Sequence, residues 1–437
     1  MRRAKVFPIL AGALAVTFTS ELPGEEKKTS DESDMRSRIE LLEQELRALK
    51  ADRDSERAED ELDELLRLAE ASGPAPVARP QTSPSILNPQ ISVIPDFVAR
   101  WLEIDIDGDE EAVEAAFPEL FEDQNPFRLR ETEVEFRAPV SPNADAVGIL
   151  ALGDEEEAKF EEAYILFNSL PWGLRGKVGQ FRLDVGRMNR VHQHDLPQTD
   201  RPLVHQLFLG PEGTSSPGVS VSKTVYSGDP GGLLPDWSEV TVEAVNSAIE
   251  GSPLFAEGPI NDAAIGGRWK NFWSFGQLQD VEVGFSALAT GNNAAGDGES
   301  STLVGTDVTW RRNDPTPGGF DNWLVQGEVL SSTADVASGS DTINALGGYL
   351  TVQRQFDPQW YAGVRVDRAE SPTVEDADIW GVAPYVSHYV NEFIRFRFQY
   401  LFMNGEVGDT SATSHGLSAQ LTWVFGAHPP HPYWVNQ

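Results

Sequence analysis

The chain has 437 residues, and its 69 acidic against 34 basic side chains give a formal net charge of −35. So acidic a chain lacks the basic footprint of a general nucleic-acid binder. It has no cysteine, which excludes disulfides, thiolate zinc sites, a cysteine nucleophile and a lipidated amino-terminal cysteine. Mean hydropathy is −0.33 and no apolar run approaches the roughly 20 residues of a membrane-spanning helix. A bundle of membrane helices is thereby excluded. A membrane β-barrel is not, because its strands alternate apolar and polar residues.

Residues 1–20 read as an export signal. Arg2, Arg3 and Lys5 make a basic end, Val6 to Val16 is largely apolar, and Ala13-Leu14-Ala15 offers a cleavage site. Residues 21–72 hold 18 acids against 9 bases. Within them Ile39, Leu42, Leu46 and Leu49 fall at 3-4-3 spacing, a short coiled-coil seam. The register fails at Arg53 and Glu56 and resumes in a shifted frame at Leu62, Leu65 and Ala69. So narrow a seam buries too little to fold alone, so the pattern predicts an oligomer seam. Residues 73–90 carry five prolines and read as a linker.

From 91 to 428 the texture is that of a barrel. Segments of about ten residues alternate with period two and are separated by Gly, Pro, Asp and Asn clusters. In 393–403 Arg395, Arg397 and Gln399 are set against Phe396, Phe398, Tyr400 and Phe402. Sixteen strands are predicted, near 91–104, 127–138, 145–152, 159–169, 174–183, 217–227, 237–248, 263–272, 280–290, 302–312, 322–332, 343–356, 359–368, 378–390, 393–403 and 414–426. An even count suits a closed barrel. Short connections at 139–144, 170–173, 357–358 and 390–392 alternate with long ones at 105–126, 184–216, 250–262 and 404–412. That sorting predicts short turns on the periplasmic side, with the amino terminus and a 429–437 tail periplasmic as well.

Several runs carry a resemblance. They are LRETEVEF at 129–136, EEAYILF at 161–167, SLPWGLRGKVGQFR at 169–182, GRMNRVHQHDLPQTDRPLV at 186–204, FLGPEG at 208–213 and the last strand LSAQLTWVFGAH at 417–428. In order, they resemble a family of bacterial outer-membrane proteins related to the phosphate-selective porins, often labelled zinc-regulated outer-membrane receptors. The likeness is concentrated in 88–220. It implies an outer-membrane channel that pairs an export signal and a coiled coil with the barrel. Outer-membrane lipid, the barrel assembly machinery and a homotrimeric arrangement are the partners it implies.

In sixteen-stranded porins the long connection after the fifth strand folds into the lumen. Here that stretch, 184–216, holds three of the seven histidines. Arg187, Arg190, His192, His194 and Arg201 are therefore expected at a constriction, facing acids across the lumen. Wall positions Glu131, Glu133, Glu135 and Glu243 set against Arg182, Arg365, Arg395 and Arg397 are expected to line the pore and impose a transverse field. His192, His194 and His205 are candidate metal ligands, though capping turns within the loop is the plainer role. Asp105, Asp107 and Asp109 with Gly108 superficially resemble a calcium loop but lack the EF-hand glycine and glutamate positions. A loosely bound divalent cation is the only cofactor they suggest. No nucleotide loop, GxSxG or HExxH occurs, so no enzyme is expected. The sequence thus predicts an all-β transmembrane barrel passing small hydrophilic solutes or ions. The alternatives are an outer-membrane receptor for a metal or metal complex, and a barrel anchor tying the outer membrane to the cell wall.

Overall fold

A computed structural model describes residues 89–426, apart from 119–124, 154–157, 228–231, 250, 256–261, 277, 294–295, 315–319 and 337–340. The expected export signal, the seam at Ile39, Leu42, Leu46 and Leu49, most of the linker and the tail lie outside the described residues. Sixteen long strands follow one another antiparallel: β1 (Gln90–Asp107), β2 (Phe127–Ser141), β3 (Ala144–Gly153), β4 (Lys159–Leu170), β5 (Leu174–Arg182), β6 (Ser215–Tyr226), β7 (Trp237–Asn246) and β8 (Ala263–Phe275) form the first half. The second half is β9 (Gln279–Asn293), β10 (Gly296–Arg312), β11 (Trp323–Asp335), β12 (Thr342–Asp357), β13 (Trp360–Glu370), β14 (Ala377–Asn391), β15 (Ile394–Val407) and β16 (Thr410–Trp423). β1 pairs with both β2 and β16, so the sheet closes on itself. After Val424 the last strand resumes at Phe425–Gly426, still against β1. Closure leaves no unpaired edge, the condition for a sheet to cross a bilayer.

The outward face of this barrel is apolar. Val178, Val219, Val242, Ile265, Phe285, Val304, Val329, Leu350, Phe398 and Leu417 all point away from the axis and are exposed. Water would penalise so continuous a band, whereas lipid does not. Aromatic residues collect at the short-turn rim, where Trp172, Trp237, Trp273, Trp310, Trp323, Trp360 and Trp423 stand at strand ends or in a turn. An aromatic belt of this kind marks a membrane–water interface.

Every predicted strand is present, and most run two to five residues further than the alternation indicated. The differences concern connections. The stretch 404–412, read as a long connection, is the paired ends of β15 and β16 joined by Gly408-Asp409. β9 and β10 likewise stay paired to Asn293 and Gly296. Polar residues can extend a ladder beyond the lipid at no hydrophobic cost, so alternation fades before pairing does. The acidic 105–126 connection contains a short helix, α1 (Glu110–Ala116), whose first N–H groups are capped by Asp109. Asp105 and Asp107 lie on β1. Asp109 is thus a helix cap.

The described chain has no free cysteine, so a disulfide tests closure cleanly. Ala99 and Ala419 are register partners on the outward faces of β1 and β16. Opposed antiparallel residues lie within disulfide reach. Ala99→Cys with Ala419→Cys should therefore oxidise to an intramolecular loop with altered mobility on boiled gels, reversed by reductant. Failure to crosslink would refute the closing register.

Candidate functional site in the barrel lumen

The lumen wall has two textures. Towards the long-connection end its inward residues are apolar, including Leu288, Leu303, Leu330, Ala369, Ile379, Leu401 and Met403. Towards the short-turn end they are charged or polar, including Glu133, Glu282, Glu328, Arg365, Arg395, Arg397 and Gln420. On β15 the change occurs within one inward row, from Arg395, Arg397 and Gln399 to Leu401 and Met403.

Residues 183–214, between β5 and β6, fold into this lumen and match both textures. The segment is closed at its neck by Asn189, which donates to the carbonyls of Leu183 (2.8 Å) and Thr214 (3.0 Å) and accepts from the Thr214 N–H (2.8 Å). Gly186 turns the chain at φ +63, and a Cβ there would lie 1.9 Å from Glu328 Oε1, so both conformation and space demand glycine. The helix α2 (Leu203–Leu209) then places Leu203, Val204, Leu207, Phe208 and Leu209 in the apolar core of the lumen, where Phe117 also packs.

Between the 3₁₀ turns at Met188–Arg190 and Gln193–Asp195 and the helix α2 the chain has no regular structure. Pro197 and Pro202 break any regular structure in 196–202, which leaves carbonyls without secondary-structure donors. The wall arginines supply them. Arg395 donates to the His194 carbonyl, and Arg397 to those of Leu196, Gln198 (2.9 Å) and His194 (3.2 Å). Arg130 donates to the Thr199 carbonyl (2.6 Å). Arg365 donates to the Asp200 carbonyl (2.8 Å) and pairs with the carboxylates of Asp200 (3.1 Å) and Asp367 (2.7 Å).

The segment's own charges pair outward. Arg187 meets Glu282 at 2.5 Å, and fully buried His205 meets Glu328 at 2.9 Å. His194 Nδ1 lies 2.9 Å from Glu133 Oε1. His192 sits among three carboxylates, 2.9 Å from Glu162, 3.1 Å from Glu161 and 3.3 Å from Glu133. Burial works against charge on both these imidazoles, but Glu133 outweighs it. His192 is held protonated well above its usual range and His194 above it too. Arg182 from the end of β5 braces Glu161 through both carboxylate oxygens.

These positions revise several expectations. The long connection folds inward, and its Arg187, His192 and His194 meet wall acids; so does His205, which the sequence offers only as a candidate metal ligand. Arg182, Arg365, Arg395 and Arg397, expected to line open water, are instead buried beneath the segment. Arg201 forms no close ion pair among the described residues, although Glu161 and Glu131 of the wall act on it through space. It is wholly buried and donates to the carbonyls of Met188 and Val191 within its own segment, because the turns there leave those carbonyls inward. Glu131 and Glu133 are buried on β2, whereas Glu135 is only half-buried nearer the short-turn rim. The histidines reach across to the wall and do not cap turns. What went unread was the apolar role of the segment: LVHQLFL at 203–209 is an unusually greasy run for an aqueous loop, and that was the available signal.

Arg190 points elsewhere. Its side chain is 42 % exposed and lies 3.6 Å from Asp184. With Arg175 and Lys177 on β5 it faces Asp184, Glu239 and Glu243 across a small polar cleft, partly open to solvent. Cations and anions therefore face each other beside the segment, Arg175 lying 4.0 Å from Glu239.

Two outcomes follow. Arg365→Met leaves Asp367 buried and uncompensated beneath a docked segment, at about 3–5 kcal/mol. The segment should loosen, seen as new protease cleavage within 183–214 of a barrel that still migrates as folded. The acids of the segment also fix its pH range. Burial raises the Asp184 carboxyl, but Arg190 and Arg268 outweigh it and draw it down to about 2. Asp200 is lowered as well, Arg365 outweighing burial. A depressed carboxyl stabilises above its ordinary value, near 3.8 for aspartate, and that support goes as pH falls through the depressed one. The folded protein should resist pepsin within 183–214 at pH 4 and yield there near pH 2.

No family model matches the chain. An uncharacterized protein of Aquifex aeolicus (strain VF5) is 38% identical over 96 residues, 22% of this chain and 20% of that protein, so the match spans about a fifth of the relative. Among solved structures, a loop L8 deletion mutant of OmpT, an outer membrane protein of Vibrio cholerae, is similar over 77% of this chain and all of that one, at 13% identity and a TM-score of 0.49. An anion-selective porin from Comamonas acidovorans covers 77% of this chain and 99% of its own, at 9% identity and 0.49. Pseudomonas putida OprB covers 79% and 96%, at 10% and 0.49. The fold of this chain rests on its own strand pairing.

Proposed function

We propose that this chain is an outer-membrane channel of the porin type, passing small hydrophilic solutes or ions down their gradients without catalysis. The carrying observation is a closed sixteen-stranded barrel with an apolar exterior and a segment folded across its lumen. The route past the docked segment is the charged gap between Arg175, Lys177 and Arg190 and the acids Glu239, Glu243 and Asp184. Its opposed charges favour small polar solutes over apolar ones. Short turns such as Pro358-Gln359 face the periplasm on this reading, and the chain assembles as a homotrimer.

A second reading has one observation in its favour. The lumen wall is so fully covered that Arg365, Arg395 and Arg397 are at most 1% exposed, which suits a barrel that anchors or captures a ligand and does not conduct. Single-channel recording in planar bilayers separates the two. The channel reading expects small, steady conductance steps from the full chain and steps several-fold larger after deletion of 190–206. If neither protein conducts while both migrate as folded barrels, the channel reading fails.

A further inference from the structure

We propose that Glu133, Glu161 and His192 form a binding site for a divalent transition-metal ion, joining the lumen segment to the barrel wall. One ligand atom from each of the three lies within 4.8 Å of the others. His192 Nδ1 is 3.3 Å from Glu133 Oε2 and 3.1 Å from Glu161 Oε2. Ligand atoms bound tetrahedrally at about 2.0–2.2 Å from one ion stand roughly 3.3–3.6 Å apart, and those bound at right angles roughly 2.8–3.1 Å. The observed separations fall in that span, so an ion enters with little movement of the side chains.

The hydrogen bonds around the three atoms are independent of those distances and point the same way. His192 Nε2 lies 2.9 Å from Glu162 Oε1. That contact keeps a proton on Nε2 and points Nδ1 at the two carboxylates, so that Nδ1 can exchange its own proton for an ion. Nδ1 is buried and has no aligned hydrogen-bond partner among the described residues, despite both oxygens being near. An imidazole whose far nitrogen donates to a carboxylate while the near one faces acids is the arrangement that orients histidine towards a metal. Each carboxylate is braced in the same manner. His194 Nδ1 occupies Glu133 Oε1 and leaves Oε2 free to turn inward. Arg182 Nη2 spans both oxygens of Glu161 at 2.9 and 2.8 Å, sharing Oε2 with the site.

Glu131, Glu133, Glu161 and Glu162 converge here with two guanidiniums, Arg182 and Arg201, and the two imidazoles. Glu131, 5% exposed, keeps an Oε1 without a hydrogen-bond partner among the described residues. An entering ion would displace the Nδ1 proton of His192 and take over its place as the positive partner of these buried carboxylates. Nitrogen and oxygen donors with no thiolate suit a borderline divalent ion such as Zn²⁺ or Co²⁺ better than Ca²⁺. His205, although buried, is on α2 and paired with Glu328, so it belongs to a different part of the lumen.

Two ligands come from wall strands β2 and β4 and the third from the segment, so occupancy holds the segment down. The test uses the full mature chain, folded in detergent, titrated with Co²⁺ and followed by its visible absorption and by calorimetry. Metal bound elsewhere is subtracted through the variants. Wild type should show one site that His192→Ala and Glu161→Gln each lose, with affinity down at least 100-fold, while His205→Ala keeps it. The ion should also slow protease cleavage within 183–214 in wild type and His205→Ala, and not in the other two. Binding curves that coincide in wild type and in His192→Ala and Glu161→Gln barrels that still migrate as folded would overturn the site. The channel reading above is judged separately, by conductance in metal-free buffer.

Discussion

Arg365, Arg395 and Arg397 project from β13 and β15 towards the barrel axis with almost no exposure, and each donates to a carbonyl or carboxylate of residues 194–200. A guanidinium taken from water needs its donors filled. The barrel supplies donors in excess on this side, and the proline-broken stretch supplies carbonyls in excess. Neither surplus is tolerable alone in a dry interior. The docking of 183–214 is the joint solution, and the placement of nearly every other lumen residue follows from it. Across the lumen the signs are reversed, with wall acids Glu133, Glu161, Glu282 and Glu328 meeting His192, Arg187 and His205 of the segment. A transverse charge separation anticipated for flowing water is instead used to fix a polypeptide.

The permeation problem therefore moves to the edge of the segment. Arg190 is the segment's one named cation left substantially exposed, and it stands with Arg175 and Lys177 opposite Glu239 and Glu243. Here Arg190 and Arg175 meet Asp184 and Glu239 at 3.6 and 4.0 Å, more loosely than the pairs beneath the segment. Wall groups that pair with the segment set its position, Glu243 among them through the Asp184 N–H, and on the channel reading Arg175, Lys177 and Glu239 are the groups a solute meets. Small inward residues such as Ser220 and Ser222 keep that side of the lumen open.

Much of the barrel was legible from period-two alternation, because lipid enforces an apolar outward face on every strand. All sixteen strands were found, since Phe396, Phe398 and Tyr400 against Arg395, Arg397 and Gln399 leaves little choice of structure. Alternation cannot report pairing beyond the lipid, which is why 404–412 read as a loop. The inward fold of 184–216 was foreseen from its position, length and charge. Its consequence was not, because whether Arg365 meets water or a carbonyl depends on tertiary docking that no local pattern encodes. The change from Arg397 to Leu401 and Met403 along one inward row, together with the apolar run at 203–209, was the local trace of that docking.

Magnitudes decide which half of the contact holds the segment. When it leaves the lumen its charged groups regain water, so the ion pairs contribute little net affinity and chiefly select one register. The apolar half has no such compensation. Leu203, Val204, Leu207, Phe208 and Leu209 are all at most 4% exposed, and burying side chains of this size is worth about 1.5–3 kcal/mol each. Five of them give on the order of 10 kcal/mol as an upper figure. Even half of that leaves fewer than about one segment in a thousand undocked, at 1.4 kcal/mol per tenfold. On the channel reading, steady passage accordingly runs beside the docked segment and not through its release. The charged gap along β5 to β7 would then set what passes, while α2 sets how rarely the wider lumen is reached.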